Sequence, residues 1–185
     1  MGKYKRKFFD ARYVPNERRR NLILGCILFW SILAAAAIRQ WGFGAIEVKG
    51  ESMRPTLYSG ERFIVHRWIY FYRSPQRDEI VVIRSPQDGV LSVKRVIGLP
   101  GETVEITGGA VRIGGKPLEE PYLAAGTLTR PEAQRGNVWS LAPDQYFVLG
   151  DNRPASEDSR FFGALRRTDI LGKVRNPNPL PHHRE

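Results

Sequence analysis

Cysteine is nearly absent from these 185 residues: Cys26 stands alone, inside an apolar run. One thiol excludes an intramolecular disulfide and a cysteine-built zinc cluster, and it leaves the redox compartment unread. Histidine is scarce as well. His66 lies in an apolar, strand-like stretch and His182 and His183 in a proline-rich tail, so the convergent ligands that a metal needs are missing. No cofactor or metal is called for. Acidic residues are outnumbered, 19 against 29 Lys and Arg, for a net charge of +10. Nucleic acid is one partner that such a balance invites, but the distribution argues otherwise. Residues 1–20 hold eight basic and two acidic side chains, so six of the ten excess charges precede residue 21. That is a membrane-topology pattern and not a nucleic-acid footprint.

Long uncharged runs are also rare, and the one present is informative. Asn21 to Ile38 carries no charge over 18 residues, about 27 Å as a helix at roughly 1.5 Å per residue, enough to span a bilayer core. Trp41 and Phe43 follow at interfacial depth, and the basic flank predicts a cytoplasmic N-terminus with everything after the span outside. A cleavable secretion signal shares the basic region, the apolar run and the small residues Ala34 to Ala37. Its apolar region is typically shorter, which favours a retained anchor. The expected organisation is a basic cytoplasmic segment at 1–20, a single transmembrane anchor at 21–40, one extracytoplasmic domain at 41–175 and a disordered tail at 176–185.

Beyond the anchor the texture is short β-type runs broken by Gly and Pro, the spacing of an all-β domain. Strands are expected at Ile46–Val48, Arg62–Val65, Asp78–Ile83, Leu91–Leu99, Tyr146–Leu149 and Thr168–Val174, with a hairpin joining Val104–Ile106 to Ala110–Ile113 across Gly108-Gly109. Trp68 to Tyr72 (WIYFY) reads as strand core, with a membrane-interface role as the alternative. Residues 114–143 read as a loop-rich, peripheral excursion.

Three blocks carry the chemistry. Gly50-Glu51-Ser52-Met53-Arg54-Pro55-Thr56-Leu57 puts a hydroxyl nucleophile on a proline-stiffened turn. Lys94 lies in Ser92-Val93-Lys94-Arg95-Val96-Ile97-Gly98-Leu99-Pro100-Gly101, where a strand places Ser92, Lys94 and Val96 on one face and Val93, Arg95 and Ile97 on the other. The third block is Gly150-Asp151-Asn152-Arg153-Pro154-Ala155-Ser156-Glu157-Asp158-Ser159-Arg160. A serine hydroxyl needs an adjacent base, and no histidine is close in sequence. A lysine serves if burial lowers its pKa. Arg95 cannot, because guanidinium does not give up a proton in proteins; an ion pair with a carboxylate suits it better. Gly50 leaves room for a substrate backbone, and the Ser52 amide can help bind an oxyanion.

With these three blocks in this order, the chain resembles the type I signal peptidases, membrane-bound serine proteases with a Ser/Lys dyad, over roughly residues 20 to 175. The resemblance implies a mainly β fold, a single N-terminal transmembrane helix followed by an antiparallel β-sheet catalytic domain of signal-peptidase type. It implies Ser52 as nucleophile and Lys94 as base, and Ser156 hydrogen-bonded to the Lys94 amine. It pairs Asp151 and Asp158 with Arg95 and Arg160, and places Gly50 and Met53 at the substrate and oxyanion positions. Partners would be secretory preproteins, cut after small residues, and membrane lipid, without nucleic acid. Two departures stand out. Gly50 replaces a serine that serves some members as a second oxyanion donor, and Glu61 replaces the usual aspartate after Gly60. Two other readings compete: a self-cleaving Ser/Lys repressor-type peptidase, and a non-catalytic membrane-anchored β-domain that binds anionic partners.

Overall fold

β-branched and aromatic residues dominate the longer strands, such as Ile80–Arg84 and Gln145–Leu149, and their alternation decides which sheet face each side chain joins. The computed structural model describes residues 16–132 and 136–175. The basic residues 1–15 and the tail 176–185 lie outside the described residues, as do the side chains of Trp41 and Phe43.

Helix α1, Glu17–Gly42, begins in the basic flank and contains the whole uncharged run. From Glu17 to Ala36 it is long and apolar enough to cross a membrane, and none of that stretch is buried by protein. Leu24, Ile27, Trp30 and Leu33 all lie exposed. A helix apolar all round suits lipid rather than water.

The remainder is mainly antiparallel β, as expected. The strands are β1 (Phe43–Glu47), β2 (Arg62–His66), β3 (Ile80–Arg84), β4 (Leu91–Gly98), β5 (Thr103–Thr107), β6 (Ala110–Ile113), β7 (Lys116–Pro117), β8 (Val138–Ser140), β9 (Gln145–Leu149), β10 (Leu165–Arg166) and β11 (Ile170–Val174). Two single-turn helices interrupt them, α2 (Ile69–Tyr72) and α3 (Ser159–Phe162). A seven-stranded sheet runs β1-β2-β11-β3-β4-β9-β10, and a four-stranded sheet runs β7-β6-β5-β8. The hairpin across Gly108-Gly109 forms with Thr107 opposite Ala110.

Alternation gives the large sheet two buried faces. Phe63, Val65, Ile80 and Val82 pack on one, together with Met53, Leu57 and Val174. Val81, Ile83, Val96 and Val148 pack on the other with Tyr146 and Leu165. Further along β4 and β9, Ile97, Phe147 and Leu149 meet Val104, Ile106 and Val111 of the smaller sheet.

Two expectations are corrected. Trp68 to Tyr72 is not strand core: Ile69–Tyr72 closes a helical turn in which the Arg73 amide donates to the Ile69 carbonyl at 3.2 Å. Tyr70 is buried and donates its hydroxyl to buried Glu79 at 2.9 Å, and Ile69 packs half-buried against the same core, while Phe71 and Tyr72 are 82% and 84% exposed. A helical turn satisfies backbone groups that have no strand beside them, and this one is held by Glu79 on the Tyr70 hydroxyl and by Arg167, whose Nη2 donates to the Tyr70 carbonyl. Residues 114–143 are not merely peripheral either. They supply β7 and β8, and Glu120, Tyr122 and Thr129 reach buried arginines of the Gly150 block and β4.

Candidate active site

The loop that bears Ser52 is drawn shut at its neck. The Gly60 amide donates to the Val48 carbonyl at 2.8 Å and the Val48 amide to the Glu61 carbonyl at 2.9 Å. Gly50 opens the turn with φ +91°, a left-handed conformation that glycine adopts without Cβ strain. The Arg54 amide donates to the Glu51 carbonyl and the Leu57 amide to the Met53 carbonyl, at 3.2 and 2.9 Å. Met53 and Leu57 are each 1% exposed, and burying such side chains contributes about 1.5–3 kcal/mol apiece. The turn is thereby footed in the core while Ser52 is left half-buried at its top. Met53 is a footing of the turn as well as a flank of the serine.

From the other side the Gly150 block clasps this turn. The Asn152 amide donates to the Ser52 carbonyl at 2.9 Å, and the Asn152 side-chain amide donates to the Glu51 carbonyl at 3.0 Å. A Cβ on Gly150 would sit 2.5 Å from the Ser52 carbonyl oxygen, so only glycine lets the two main chains approach so closely. Thr56 Oγ1, still within the turn, donates to Asp151 Oδ2.

β4 passes alongside. β3 pairs with all of Leu91 to Arg95, whereas β9 ends opposite Arg95, so the β4 edge from Leu91 to Lys94 has no strand on that side. Lys94 is 3% exposed. Burial lowers its pKa from the ordinary lysine value, against a smaller opposing pull from Asp158 and Glu157. No hydrogen bond or ion pair joins the Lys94 amine to another side chain among the described residues. Asp158 is already engaged: Arg160 Nε and Nη2 donate to its two oxygens at 2.8 and 2.9 Å, and the Gly150 amide donates to it at 3.0 Å.

Arg95 has the opposite setting. Its Nε and Nη2 donate to the two oxygens of Asp151 at 2.8 and 2.6 Å, and Nη1 donates to the Asp78 carbonyl at 2.9 Å. Burial would lower its pKa, but the hydrogen bonds and charge of Asp151 raise it overall. The Tyr122 ring lies over the guanidinium, 3.8 Å from carbon to ring centroid.

Ser156 differs from the expectation. Its Oγ is buried and has no hydrogen-bond partner, so the bond to Lys94 is not formed; the side chain packs against Gly150. A buried, unpaired hydroxyl costs about 1–3 kcal/mol. The reading of single residues missed Arg153, which is 1% exposed. It donates from Nε to the Gly150 carbonyl at 3.0 Å and pairs with Glu120 and Thr129. Its place within the Gly150 block was the one available signal, since a buried arginine needs a carboxylate partner and none of the neighbouring positions names Glu120.

Ser52 sits where two depressions meet. One, about 270 Å³, is mostly polar and lined by Ser52, Lys94, Ser92, Asp88 and Glu157. The other, about 460 Å³, is lined by Ser52 with apolar Ile46, Val48, Met53, Val82 and Val93. The arrangement offers a hydroxyl, an amine held in low dielectric, and an unpaired strand edge beside an apolar groove.

The family model described as signal peptidase, peptidase S26, matches residues 20–177. A signal peptidase I of Leptolyngbya laminosa is 40% identical over 152 residues, covering 78% of this chain and 72% of that protein. A probable signal peptidase I-2 of Synechocystis is 37% identical over 160 residues, covering 83% and 71%. A signal peptidase I of Enterococcus faecalis V583, of known crystal structure, is 36% identical, covers 56% of this chain and 98% of its own, and aligns with a TM-score of 0.48.

Proposed function

The chain belongs to the signal peptidase family, peptidase S26, and from that premise we propose that Ser52 and Lys94 are the nucleophile and base of a membrane-anchored endopeptidase that removes signal peptides from exported preproteins. It is a serine peptidase that cleaves signal peptides. The observation that carries the assignment of residues is the shared groove: a half-buried Ser52 and a buried Lys94 without a carboxylate partner.

Neutral Lys94 takes the proton from Ser52 Oγ, and that oxygen bonds to the scissile carbonyl carbon. The carbonyl oxygen becomes an oxyanion, which the Ser52 amide hydrogen stabilises. Protonated Lys94 then gives its proton to the departing amine as the peptide C–N bond breaks. Lys94 then takes a proton from water, the hydroxide bonds to the acyl carbon, and protonated Lys94 gives that proton to Ser52 Oγ as the ester C–O bond breaks. Ser156 Oγ is free to accept from the lysine amine and orient it; Asp151, Asp158, Arg95 and Arg160 act through structure, holding the turn and the block. Gly50 and Met53 flank the substrate path.

The unpaired edge of β4 supports addition of the substrate as a strand, which sends alternate side chains toward the enzyme. Small residues at the first and third positions before the cut suit that two-residue period. The basic flank supports a cytoplasmic N-terminus, with the β-domain on the outer side, anchored once in membrane lipid.

The test is incubation of the purified chain with a model preprotein and sequencing of the new N-terminus. Cleavage after a small residue, lost in Ser52→Ala, is expected. Equal cleavage by Ser52→Ala removes the assignment.

A further inference from the structure

Asp151 is the junction of the site. It accepts from Thr56 in the Ser52 turn and from Arg95 in β4, and it lies between Gly150, which abuts the Ser52 carbonyl, and Asn152, which donates to that carbonyl. Whatever steadies the Arg95–Asp151 pair therefore steadies the clasp on the nucleophile.

One short stretch of the 114–143 excursion reaches both ends of this clasp. The Tyr122 ring covers the Arg95 guanidinium. Its hydroxyl donates to Glu120 Oε1 at 2.8 Å, and burial with the neighbouring Glu120 charge raises its pKa above the ordinary tyrosine range, so it stays a donor. Glu120 in turn pairs with Arg153, which holds the Gly150 carbonyl. Glu120 thus supports the Gly150 end and Tyr122 the Asp151 end. An aromatic face over a guanidinium attracts the cation more strongly when water is excluded, and the Arg95 and Asp151 side chains are 8% and 1% exposed.

We propose that Tyr122 is a positioning residue: its ring, laid on Arg95, closes the Arg95–Asp151 pair to water and so keeps the Asn152 amide bound to the Ser52 carbonyl. For catalysis the inference rests on Ser52 being the nucleophile. Tyr122 also packs against the core between the two sheets, so a test must separate ring face from bulk.

The test uses the full chain in detergent. Tyr122→Leu keeps apolar bulk without a π face, and Tyr122→Met is the second such variant should the first not fold; Tyr122→Phe keeps the face without the hydroxyl. Two readouts are taken, amide hydrogen exchange at Asn152, and kcat and KM per Ser52 titrated with an acylating agent. Tyr122→Leu is expected to exchange Asn152 about tenfold faster and to lose kcat about tenfold, with KM within about twofold and Tyr122→Phe near the native values. Unchanged exchange in Tyr122→Leu, or equal loss in Tyr122→Phe, overturns the proposal whichever way kcat moves. The exchange readout needs no substrate, so absence of preprotein cleavage by the native chain would overturn the functional reading while exchange still decides this one.

Discussion

On the two sides of β4 lie neighbouring cations with nearly the same burial and opposite fates. On the groove side Lys94, 3% exposed, has no anion in contact, and desolvation dominates: its pKa falls. On the other side Arg95, 7% exposed, is gripped by Asp151 and stacked on Tyr122, and its pKa rises. Burial alone does not make a base; burial without a partner does. The arginine side illustrates the converse, in which a buried charge is tolerated because Asp151, the Asp78 carbonyl and the Tyr122 ring meet it.

The largest break in this comparison is Lys94→Arg. It keeps a cation in the groove but removes the group that can be neutral, so preprotein cleavage should fall by about 10⁴-fold with the chain still folded. A rate assay showing more than a few per cent residual activity would assign Lys94 a role of charge alone.

Breaking the other side should cost stability first. Asp151→Asn leaves Arg95 buried without its anion, and the loss of a partner from such a pair costs about 3–5 kcal/mol. Chemical denaturation is the measurement, and a loss below 1 kcal/mol would mean that water reaches Arg95 freely.

Gly150→Ala probes the hinge between the two sides. A Cβ there meets the Ser52 carbonyl and the Ser156 side chain, and displacing the nucleophile by even 1 Å is expected to cost about 100-fold in kcat. Native kcat would show that the clasp yields without moving Ser52.

The smallest effect is the pH signature of Lys94. Its folded pKa lies below the ordinary value of 10.5. The folded state therefore binds fewer protons than the unfolded state in the window between the two, and stability rises with pH there. The cost of burying the charge is fully present below the folded pKa and gone above 10.5. Lys94→Met should accordingly raise Tm at neutral pH by an amount that shrinks as pH approaches 10.5. In the native chain, kcat/KM should fall as pH drops through the same lowered pKa. A Tm difference that stays constant with pH would count against a depressed lysine.

The local pattern carried what depends on near neighbours. An 18-residue uncharged run behind a basic flank is enough for a spanning helix, and β-branched alternation is enough for strands such as Ile80–Arg84 and Leu91–Gly98. The three motif blocks named Ser52, Lys94 and the Gly150 segment as the chemistry-bearing residues. Trp68 to Tyr72 shows where that reading fails: its composition favours a strand, but a single-turn helix forms, with Ile69 and Tyr70 turned to the core and Phe71 and Tyr72 to the surface.

By itself, then, the amino-acid order determined a helix long and apolar enough to span a membrane and the β architecture, because both follow from hydropathy and side-chain periodicity over a few positions, while its three motif blocks carried the resemblance that singled out Ser52 and Lys94. Only the tertiary structure decided that Lys94 is buried without a partner, that Ser156 Oγ is left unpaired, and that Tyr122 and Glu120 of the excursion support the Gly150 block. Desolvation and ion pairing sum over groups brought together by folding: Arg95 meets Asp151 across 56 positions of chain and Glu120 meets Arg153 across 33. No local pattern records those distances, since they are set by how the two sheets and the loops between them pack.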